Sequence, residues 1–346
     1  MTNQTILAVP TNIITGFLGA GKTSAILHLL RQKPADERWA VLVNEFGEIG
    51  VDGSLLNGQV GSDKGVFIRE VPGGCMCCAS GVPMQIALNQ LLKEAKPDRL
   101  LIEPTGLGHP IEVLAVLSNK YYQPILKLQK NITLVDARNL KDPRYTAHEV
   151  FNQQLQVADI IVGSKLDLYQ PSDKAQLLNY LRAQAYKPDN IVFIEHGQLP
   201  LALLSGETEH SAQLNSHQHH QDNHQLSHQQ NHQNASENLP KPLPEKGYIK
   251  AINKGQGFNS VGWHFSASKI FNRQKLHSFL SNLQVIRVKA VFITSEGTFG
   301  YNSVANHFEQ VTLAQGNESR VEIICEDICE NIEEQWHEQI MNAIIP

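Results

Sequence analysis

A glycine-rich loop near the start of the chain has the composition and spacing of a phosphate-binding site. Residues 16–23 read GFLGAGKT, which fits GxxxxGK followed by Ser or Thr, between an apolar segment and an amphipathic one. Glycines let backbone N–H groups turn toward phosphate oxygens, and a helix that begins after the loop directs its N-terminus at the same anion. The loop is therefore expected to hold the phosphates of a nucleoside triphosphate.

Two side chains of the loop and one distant carboxylate suit a metal-assisted reaction at these phosphates. Lys22 is expected to reach the β and γ phosphates, and the Thr23 hydroxyl to bind Mg²⁺. Glu103 ends the apolar segment RLLIE and is expected to face the same Mg²⁺, directly or through water. These three residues are the predicted catalytic residues. The residues predicted to surround the phosphates are Gly16, Gly19, Ala20, Gly21, Lys22, Thr23, Ser24 and Gly106.

The tetrapeptide at residues 164–167 favours guanine over adenine as the bound base. It reads SKLD, so Lys165 and Asp167 match the Asn-Lys-x-Asp pattern common in GTPases, and Ser164 replaces the asparagine. A carboxylate at Asp167 can accept hydrogen bonds from N1 and N2 of guanine, which adenine does not offer. The sequence predicts GTP as the nucleotide, with ATP as the alternative. No residue is identified as a catalytic base, so slow turnover or activation by a partner is expected.

Three cysteines in a glycine-rich turn predict a site for a soft metal ion. Residues 71–78 read VPGGCMCC, which places the thiols of Cys75, Cys77 and Cys78 within four residues. Thiolates at such a turn, at the start of a helix, can converge on one tetrahedral Zn²⁺. Two other interpretations stay open at this stage, namely a thiol–disulfide exchange motif and unligated cysteines.

The three thiols leave at least one position on a tetrahedral Zn²⁺ to be filled. Water, a carboxylate such as Glu45 or Glu48, and His109 are the candidates. A weaker zinc site is predicted in a histidine-rich tract, because neutral imidazoles bind Zn²⁺ and related ions. Its histidines recur every four residues, at His220, His224, His228 and His232. The alternative is a solvated polar linker whose histidines bind nothing.

The segments around these motifs predict two folded domains joined by a linker. Short apolar runs alternate with amphipathic segments over residues 1–205, which predicts an α/β fold: a P-loop NTPase domain with a mostly parallel sheet. Residues 206–245 are rich in His and Gln and almost lack large apolar side chains, which predicts a disordered linker. Residues 246–346 contain strand-like runs and two helical patterns, which predict a smaller C-terminal α+β domain.

These assignments rest on individual predicted elements. The strands predicted for the first domain are 13–15, 40–43, 67–70, 100–102, 132–135, 160–163 and 191–194, and its helices are 24–32, 84–95, 111–117 and 174–184. The strands predicted for the second domain are 260–267, 285–294 and 320–325, and its helices are 272–282 and 331–344.

The composition excludes several classes of protein. A formal net charge of −5 argues against a nucleic-acid-binding protein, which usually has a basic face. The chain contains neither a long apolar run nor a secretory signal, so no membrane association is expected and the cytosol is the expected compartment. In that reducing compartment a cysteine cluster favours metal binding over a structural disulfide. The sequence leaves open whether the chain forms a homo-oligomer.

Together these motifs resemble those of the CobW family of metallochaperone GTPases, and in particular its zinc-binding branch. The resemblance rests on GFLGAGKT, VNEFGEIGVDG at 43–53, GGCMCC, IEPTGLGHP at 102–110 and the histidine-rich linker. It implies a slow GTPase with Mg²⁺ as nucleotide cofactor, Zn²⁺ at the cysteine motif and a client metalloprotein of unknown identity. The competing functions are a P-loop kinase or ATPase with a structural zinc, a chaperone for cobalt or nickel, and a non-enzymatic zinc buffer.

The order of the motifs suggests a link between nucleotide and zinc. Residues 44–48 follow one predicted strand, and the cysteines follow the next one at 67–70. Both strand ends are expected on the phosphate side of a parallel sheet, where ligands bind. We therefore expect zinc affinity to differ between the GTP-bound and GDP-bound states.

Overall fold

The computed structural model describes residues 6–43, 65–71, 82–185, 190–210, 244, 246–255, 258–304, 307–313, 318–326 and 331–345. These residues form two sheets, one in each predicted domain, with helices packed against both. No helix in the described ranges is long and apolar enough to cross a membrane.

The first sheet is parallel throughout its described strands, as the sequence predicts. Its strand order is β3-β2-β4-β1-β6-β7-β8, and β5 pairs with the start of β1. The strands are β1 (Val9–Gly16), β2 (Trp39–Val43), β3 (Val66–Glu70), β4 (Arg99–Glu103), β5 (Leu126–Leu128), β6 (Ile132–Val135), β7 (Ile160–Gly163) and β8 (Ile191–Phe193). The helices are α1 (Lys22–Arg31), α2 (Val82–Ala95), α3 (Pro110–Leu117), α4 (Pro143–Thr146), α5 (Glu149–Gln156) and α6 (Asp173–Ala183).

Helices cover both faces of this sheet. Successive residues of its central strands point to opposite faces, and both faces carry apolar side chains that need to be buried. Ile14 of β1 packs into an apolar cluster with α1, whereas Ile13 packs into a second cluster with α2 and α3. Val41 and Leu42 of β2 divide between the same two clusters. Burial of both faces explains why these strands are nearly continuous apolar runs in the sequence.

The second sheet is antiparallel, with the strand order β13-β12-β11-β14-β10-β9. Its strands are β9 (Tyr248–Gly255), β10 (Phe258–Phe265), β11 (Arg287–Thr294), β12 (Gly297–Val304), β13 (His307–Leu313) and β14 (Ser319–Cys325), and its helices are α7 (Arg273–Ser281) and α8 (Ile332–Asn342). Both helices pack on one face, where Trp263, Phe292 and Val321 join Leu276 and Ile340 in the core. The prediction of an α+β domain agrees with this arrangement.

The opposite face of the second sheet lies against the first domain. Phe258 and Ile324 belong to the same apolar cluster as Phe17 of the glycine-rich loop. The ring of Phe258 also stacks on His148, with centroids 5.9 Å apart. Apolar contact at this interface is flanked by an ion pair between Arg320 and Glu70 at 2.9 Å. The two domains therefore meet beside the predicted phosphate site.

Several elements were not predicted from the sequence. The missed strands and helices are β5, β9, β12, β13, α4 and α5. Residues 206–210, which the sequence places in the linker, pack on the first domain instead. The side-chain amide of Asn131 donates to Thr208 Oγ1 at 3.1 Å, and the backbone N–H of Glu209 donates to Asp159 Oδ1 at 2.9 Å. Such polar contacts need no apolar side chains, so the composition of this segment does not reveal them.

Candidate nucleotide-binding site

The glycine-rich loop connects β1 to α1 as predicted, and two of its glycines are required by the backbone. Gly16 ends β1 with a φ of 148°, and a Cβ there would lie 2.5 Å from the carbonyl oxygen of Leu134. Gly21 precedes α1 in the left-handed conformation, with a φ of 90°. A side chain at either position would strain or displace the loop. The N-terminus of α1 is thereby directed at the space where the phosphates are predicted to bind.

Lys22, Thr23 and Glu103 come together at the end of this loop. The Lys22 ammonium donates to the Gly16 carbonyl at 2.9 Å, which folds the side chain back over the loop. The Thr23 hydroxyl donates to Glu103 Oε1 at 2.9 Å. Glu103 is the last residue of β4 and is 1% exposed. The Thr23 hydroxyl and the Glu103 carboxylate are hard oxygen ligands of the kind that Mg²⁺ prefers, and they lie close enough together to share one ion.

The segment after β4 touches the glycine-rich loop. A Cβ at Gly106 would lie 2.9 Å from the backbone nitrogen of Leu18, so only glycine permits this approach. The Gly106 carbonyl accepts a hydrogen bond from the side-chain amide of Gln154 at 3.1 Å, which holds the segment in place. The structure thus brings Gly106 beside the predicted phosphate site.

The predicted base-binding residues line the other end of the same cavity. Lys165 has a left-handed backbone with a φ of 58°, and its ammonium lies 3.6 Å from Asp136 Oδ2. Burial lowers the pKa of Lys165, and the nearby Asp136 carboxylate opposes that shift. The Asp167 carboxylate accepts a hydrogen bond from the backbone N–H of His196 at 3.1 Å. This contact fixes the orientation of the carboxylate.

Ser164, which replaces the usual asparagine, also lines the cavity. Its side chain is 2% exposed, and its hydroxyl has no hydrogen-bond partner among the residues that the structure describes. A buried hydroxyl without a partner costs free energy, and a bound ligand could supply the missing hydrogen bond.

A loop after β8, which sequence reasoning missed, forms another wall of the cavity. His196 and Gly197 both have left-handed backbones, with φ values of 49° and 71°. A Cβ at Gly197 would lie 3.0 Å from the backbone of Ser24, so this loop rests directly on the start of α1. The dipeptide His-Gly, separated by one residue from the predicted strand at 191–194, was the available signal, because turns favour glycine.

The second domain contributes further residues that were not anticipated. Arg287 and Lys289 of β11 line the cavity, together with Asn302 of β12 and Glu309 of β13. The Lys289 ammonium donates to the Thr23 hydroxyl at 3.2 Å, while the same hydroxyl donates to Glu103. A hydroxyl can donate one hydrogen bond and accept others, so the two contacts are compatible. The available sequence signal for this wall was the pair Arg287 and Lys289, which occupy alternate positions in an otherwise apolar strand.

The cavity between these walls has a volume of about 240 Å³. A larger cleft of about 560 Å³ also lies at the domain interface, lined by Phe17, Arg144 and Phe258 among others. Its lining includes neither Lys22 nor Thr23 nor the residues of the base-binding end. We therefore take the smaller cavity as the candidate nucleotide site, because its lining includes the predicted phosphate-binding and base-binding residues together.

Comparison with known proteins finds a family model that covers most of the first domain. Residues 10–192 match the family model described as CobW/HypB/UreG, nucleotide-binding domain. The chain belongs to this family.

Two similar proteins align with different fractions of the chain. The zinc chaperone YeiR of Escherichia coli is 40% identical over 322 residues, which are 91% of this chain and 92% of YeiR. The zinc chaperone YjiA of Escherichia coli is 30% identical over 207 residues, 57% of this chain and 60% of YjiA. A crystal structure of Zn(II)-bound YjiA GTPase from E. coli covers 97% of this chain and 99% of its own, at 19% identity and a TM-score of 0.41.

Most of the predicted zinc ligands lie outside the described residues. These are Cys75, Cys77, Cys78, Glu45, His220, His224, His228 and His232. His109 is described, and it precedes α3 with its Nδ1 lying 2.8 Å from Gln153 Oε1. It is not among the residues that line the nucleotide cavity in the described part of the chain. The described ranges contain no group of His, Cys, Asp and Glu arranged to hold a metal ion.

Proposed function

We propose that this protein is a zinc chaperone that binds and hydrolyses GTP. The observation that carries the proposal is that one cavity joins the phosphate loop to the Lys165–Asp167 pair, in a chain 40% identical to the zinc chaperone YeiR. Zinc is the cargo, and a metalloprotein is the client that receives it. We expect the protein to act in the cytosol, where the thiols stay reduced.

Each part of the nucleotide has a proposed partner in the cavity. The phosphate loop from Gly16 to Ser24 surrounds the phosphates, and Asp167 accepts hydrogen bonds from guanine. Thr23 and Glu103 would hold Mg²⁺, which neutralises charge on the phosphates. Lys22 exchanges its contact with the Gly16 carbonyl for the β and γ phosphates. Each of these residues binds or orients the reactants, and none of them takes a proton from the attacking water, which supports slow turnover.

Zinc binding is proposed at the cysteine motif. The thiolates of Cys75, Cys77 and Cys78 hold the ion, and Glu45 or His109 completes the set of ligands. The histidine tract from His220 to His232 collects further zinc with lower affinity. Glu70 ends β3 shortly before the cysteines, and β2 ends shortly before Glu45. Both segments therefore follow parallel strands that end at the same edge of the sheet as Glu103. We infer that zinc affinity changes when GTP becomes GDP.

One experiment with two variants tests both halves of this function. Phosphate release from GTP and bound zinc are measured together, on the full chain, with and without added zinc. Lys22→Ala should abolish hydrolysis and spare zinc, while Cys77→Ala should lower zinc stoichiometry. Cys325→Ala is the control, because that thiol is buried near the carbonyl of Asn259 in the second domain.

Three results would contradict the proposal. Hydrolysis of ATP in preference to GTP, with transfer to a small-molecule acceptor, would indicate a kinase. Zinc binding without phosphate release above background would indicate a buffer. Tighter binding of cobalt or nickel than of zinc would indicate that one of those ions, and not zinc, is the cargo.

A further inference from the structure

Two buried cations of the second domain face the nucleotide site. Along β11, Val288, Ala290 and Phe292 point into the core with α7 and α8, so Arg287 and Lys289 point to the opposite face. They are only 6% and 7% exposed. Burial of charge is costly unless neighbouring groups compensate for it, and the Thr23 hydroxyl provides one such contact for Lys289.

Lys289 belongs to a polar row that crosses four strands on this face. It lies directly opposite Asn302 on β12 and Glu322 on β14, and Asn302 lies opposite Glu309 on β13. Lys289, Asn302 and Glu309 all line the nucleotide cavity. The row therefore forms the wall of the cavity that the second domain provides.

The contact with Thr23 shows which end of the nucleotide Lys289 would meet. Thr23 is the residue of the phosphate loop that would hold Mg²⁺ at the β and γ end of the nucleotide. The Lys289 ammonium is 3.2 Å from its hydroxyl, whereas Lys165 and Asp167 mark the base end. Lys289 thus lies at the β and γ end, where negative charge is greatest.

We propose that Lys289 is a catalytic residue that the C-terminal domain supplies to the GTP site. Its ammonium leaves Thr23 and binds the γ-phosphate. In hydrolysis the water oxygen bonds to the γ-phosphorus, and the bond from that phosphorus to the bridging oxygen breaks. The bonding electrons remain on GDP, and a water proton passes to solvent. Lys289 keeps its own protons throughout and stabilises the charge on the phosphate oxygens.

The nucleotide state should affect how firmly the second domain docks on the first. GTP offers Lys289 a γ-phosphate and GDP does not, so GTP favours the docked arrangement more strongly than GDP.

The proposal rests on the proposed GTP hydrolysis, and its test measures binding as well as activity. Affinities for a non-hydrolysable GTP analogue and for GDP are measured by calorimetry on the full chain, followed by single-turnover hydrolysis. In Lys289→Gln we expect the preference for the analogue over GDP to fall at least about tenfold, which is typical for loss of a charged hydrogen bond. Hydrolysis should fall with it, and Lys289→Arg should retain most of both. Lys275→Gln, an exposed position on α7, is the control.

Two outcomes would overturn this role of Lys289. One is an unchanged analogue-to-GDP preference together with unchanged hydrolysis in Lys289→Gln. The other is tighter binding of both nucleotides, which would make Lys289 a plug that competes with them. Lys289→Met, which keeps the aliphatic stem without the charge, gives the same test if the Gln variant does not fold. If the wild-type chain itself neither binds nor hydrolyses GTP, the proposed function fails instead.

Discussion

The Thr23 hydroxyl donates to the Glu103 carboxylate at 2.9 Å, which joins the phosphate loop to the end of β4. This contact predicts how a Glu103→Gln variant behaves. The glutamine carbonyl can still accept the hydrogen bond from Thr23, but the negative charge that would attract Mg²⁺ is lost. We expect the Mg²⁺ concentration for half-maximal GTP hydrolysis to rise by roughly 10- to 100-fold.

A Mg²⁺ titration at saturating GTP measures this shift. Glu112→Gln, at an exposed position in the first turn of α3, should titrate like the wild type. An unchanged Mg²⁺ requirement in Glu103→Gln would remove Glu103 from the metal site.

Exchange of Asp167 for asparagine predicts a change in base preference. In the proposed complex the carboxylate would accept hydrogen bonds from N1 and N2 of guanine, whereas an amide at this position can also donate. We expect Asp167→Asn to lose about 10- to 100-fold in GTP affinity, by the usual value of a charged hydrogen bond. Affinity for xanthosine triphosphate should rise, because its base has a carbonyl where guanine has the N2 amine.

Competition among GTP, ATP and xanthosine triphosphate for a fluorescent nucleotide measures this preference. The exposed Asp36→Asn provides the control. The same rank order of nucleotides in Asp167→Asn and in wild type would show that Asp167 does not read the base.

A histidine in the second domain predicts loss of stability in mild acid. Burial, with Lys250 and Lys246 nearby, lowers the pKa of His337 below the usual value of 6.5. Its ring stacks against Trp263, with centroids 6.3 Å apart. Because the folded state binds this proton less tightly than the unfolded chain, its contribution to stability is fully present above about pH 6.5. This stabilisation is lost as the pH falls through the lower pKa that His337 has in the folded protein.

Urea unfolding between about pH 7.5 and pH 5.5 tests whether the free energy of unfolding falls in acid as expected, because this range covers both sides of the reference pKa near 6.5. His337→Phe keeps an aromatic ring on Trp263 but cannot titrate, so its free energy of unfolding should fall less in acid than that of the wild type. His277→Phe, which faces Phe308, is the matched control. Equal acid sensitivity of His337→Phe and the wild type would place the effect elsewhere.

Sequence alone predicts the strand, glycine-rich loop and helix around Gly16 because their determinants are local. Gly16 and Lys22 lie within one strand–loop–helix unit, and the alternation of apolar runs fixes the parallel sheet around it. Lys289 could not be found in this way, because it meets Thr23 across 266 residues of chain. The pattern of β11 shows that Lys289 and Arg287 share a face, but not whether that face meets solvent or another domain.

Other elements escaped prediction because their residues are not typical of strands or helices. The sequence of β12 is GTFGYNSV and that of β9 is YIKAINKG, so glycines and polar residues interrupt the apolar pattern in both. Pairing with neighbouring strands stabilises them, and such pairing is a property of the folded sheet. The loop at His196 is similar, because its position against Ser24 depends on how β8 docks beside β7.

The ion pair between Arg320 and Glu70 predicts a measurable contribution to docking of the two domains. Arg320 Nη1 lies 2.9 Å from Glu70 Oε2, and the side chains are 18% and 30% exposed. The partners Glu70 and Glu318 raise the pKa of Arg320 against the opposing effect of burial, so the guanidinium stays charged. Removal of the Arg320 charge takes away the cation that the Glu70 and Glu318 carboxylates share. We expect Arg320→Gln to lower the free energy of unfolding by about 1–2 kcal/mol, since the pair is only partly screened by solvent.

Urea unfolding and limited proteolysis of the full chain measure this contribution. Arg273→Gln removes a similar but more exposed pair with Glu296 inside the second domain, and should change stability less. If the domains dock through this pair, Arg320→Gln should also expose the interface to protease before either domain unfolds. A proteolysis pattern like that of the wild type would mean that the other contacts across the interface, such as the apolar cluster that contains Phe17 and Phe258, hold the domains together without this pair. Because Glu70 immediately precedes the segment that carries Cys75, the same variant should also alter zinc affinity if domain docking and zinc binding are linked.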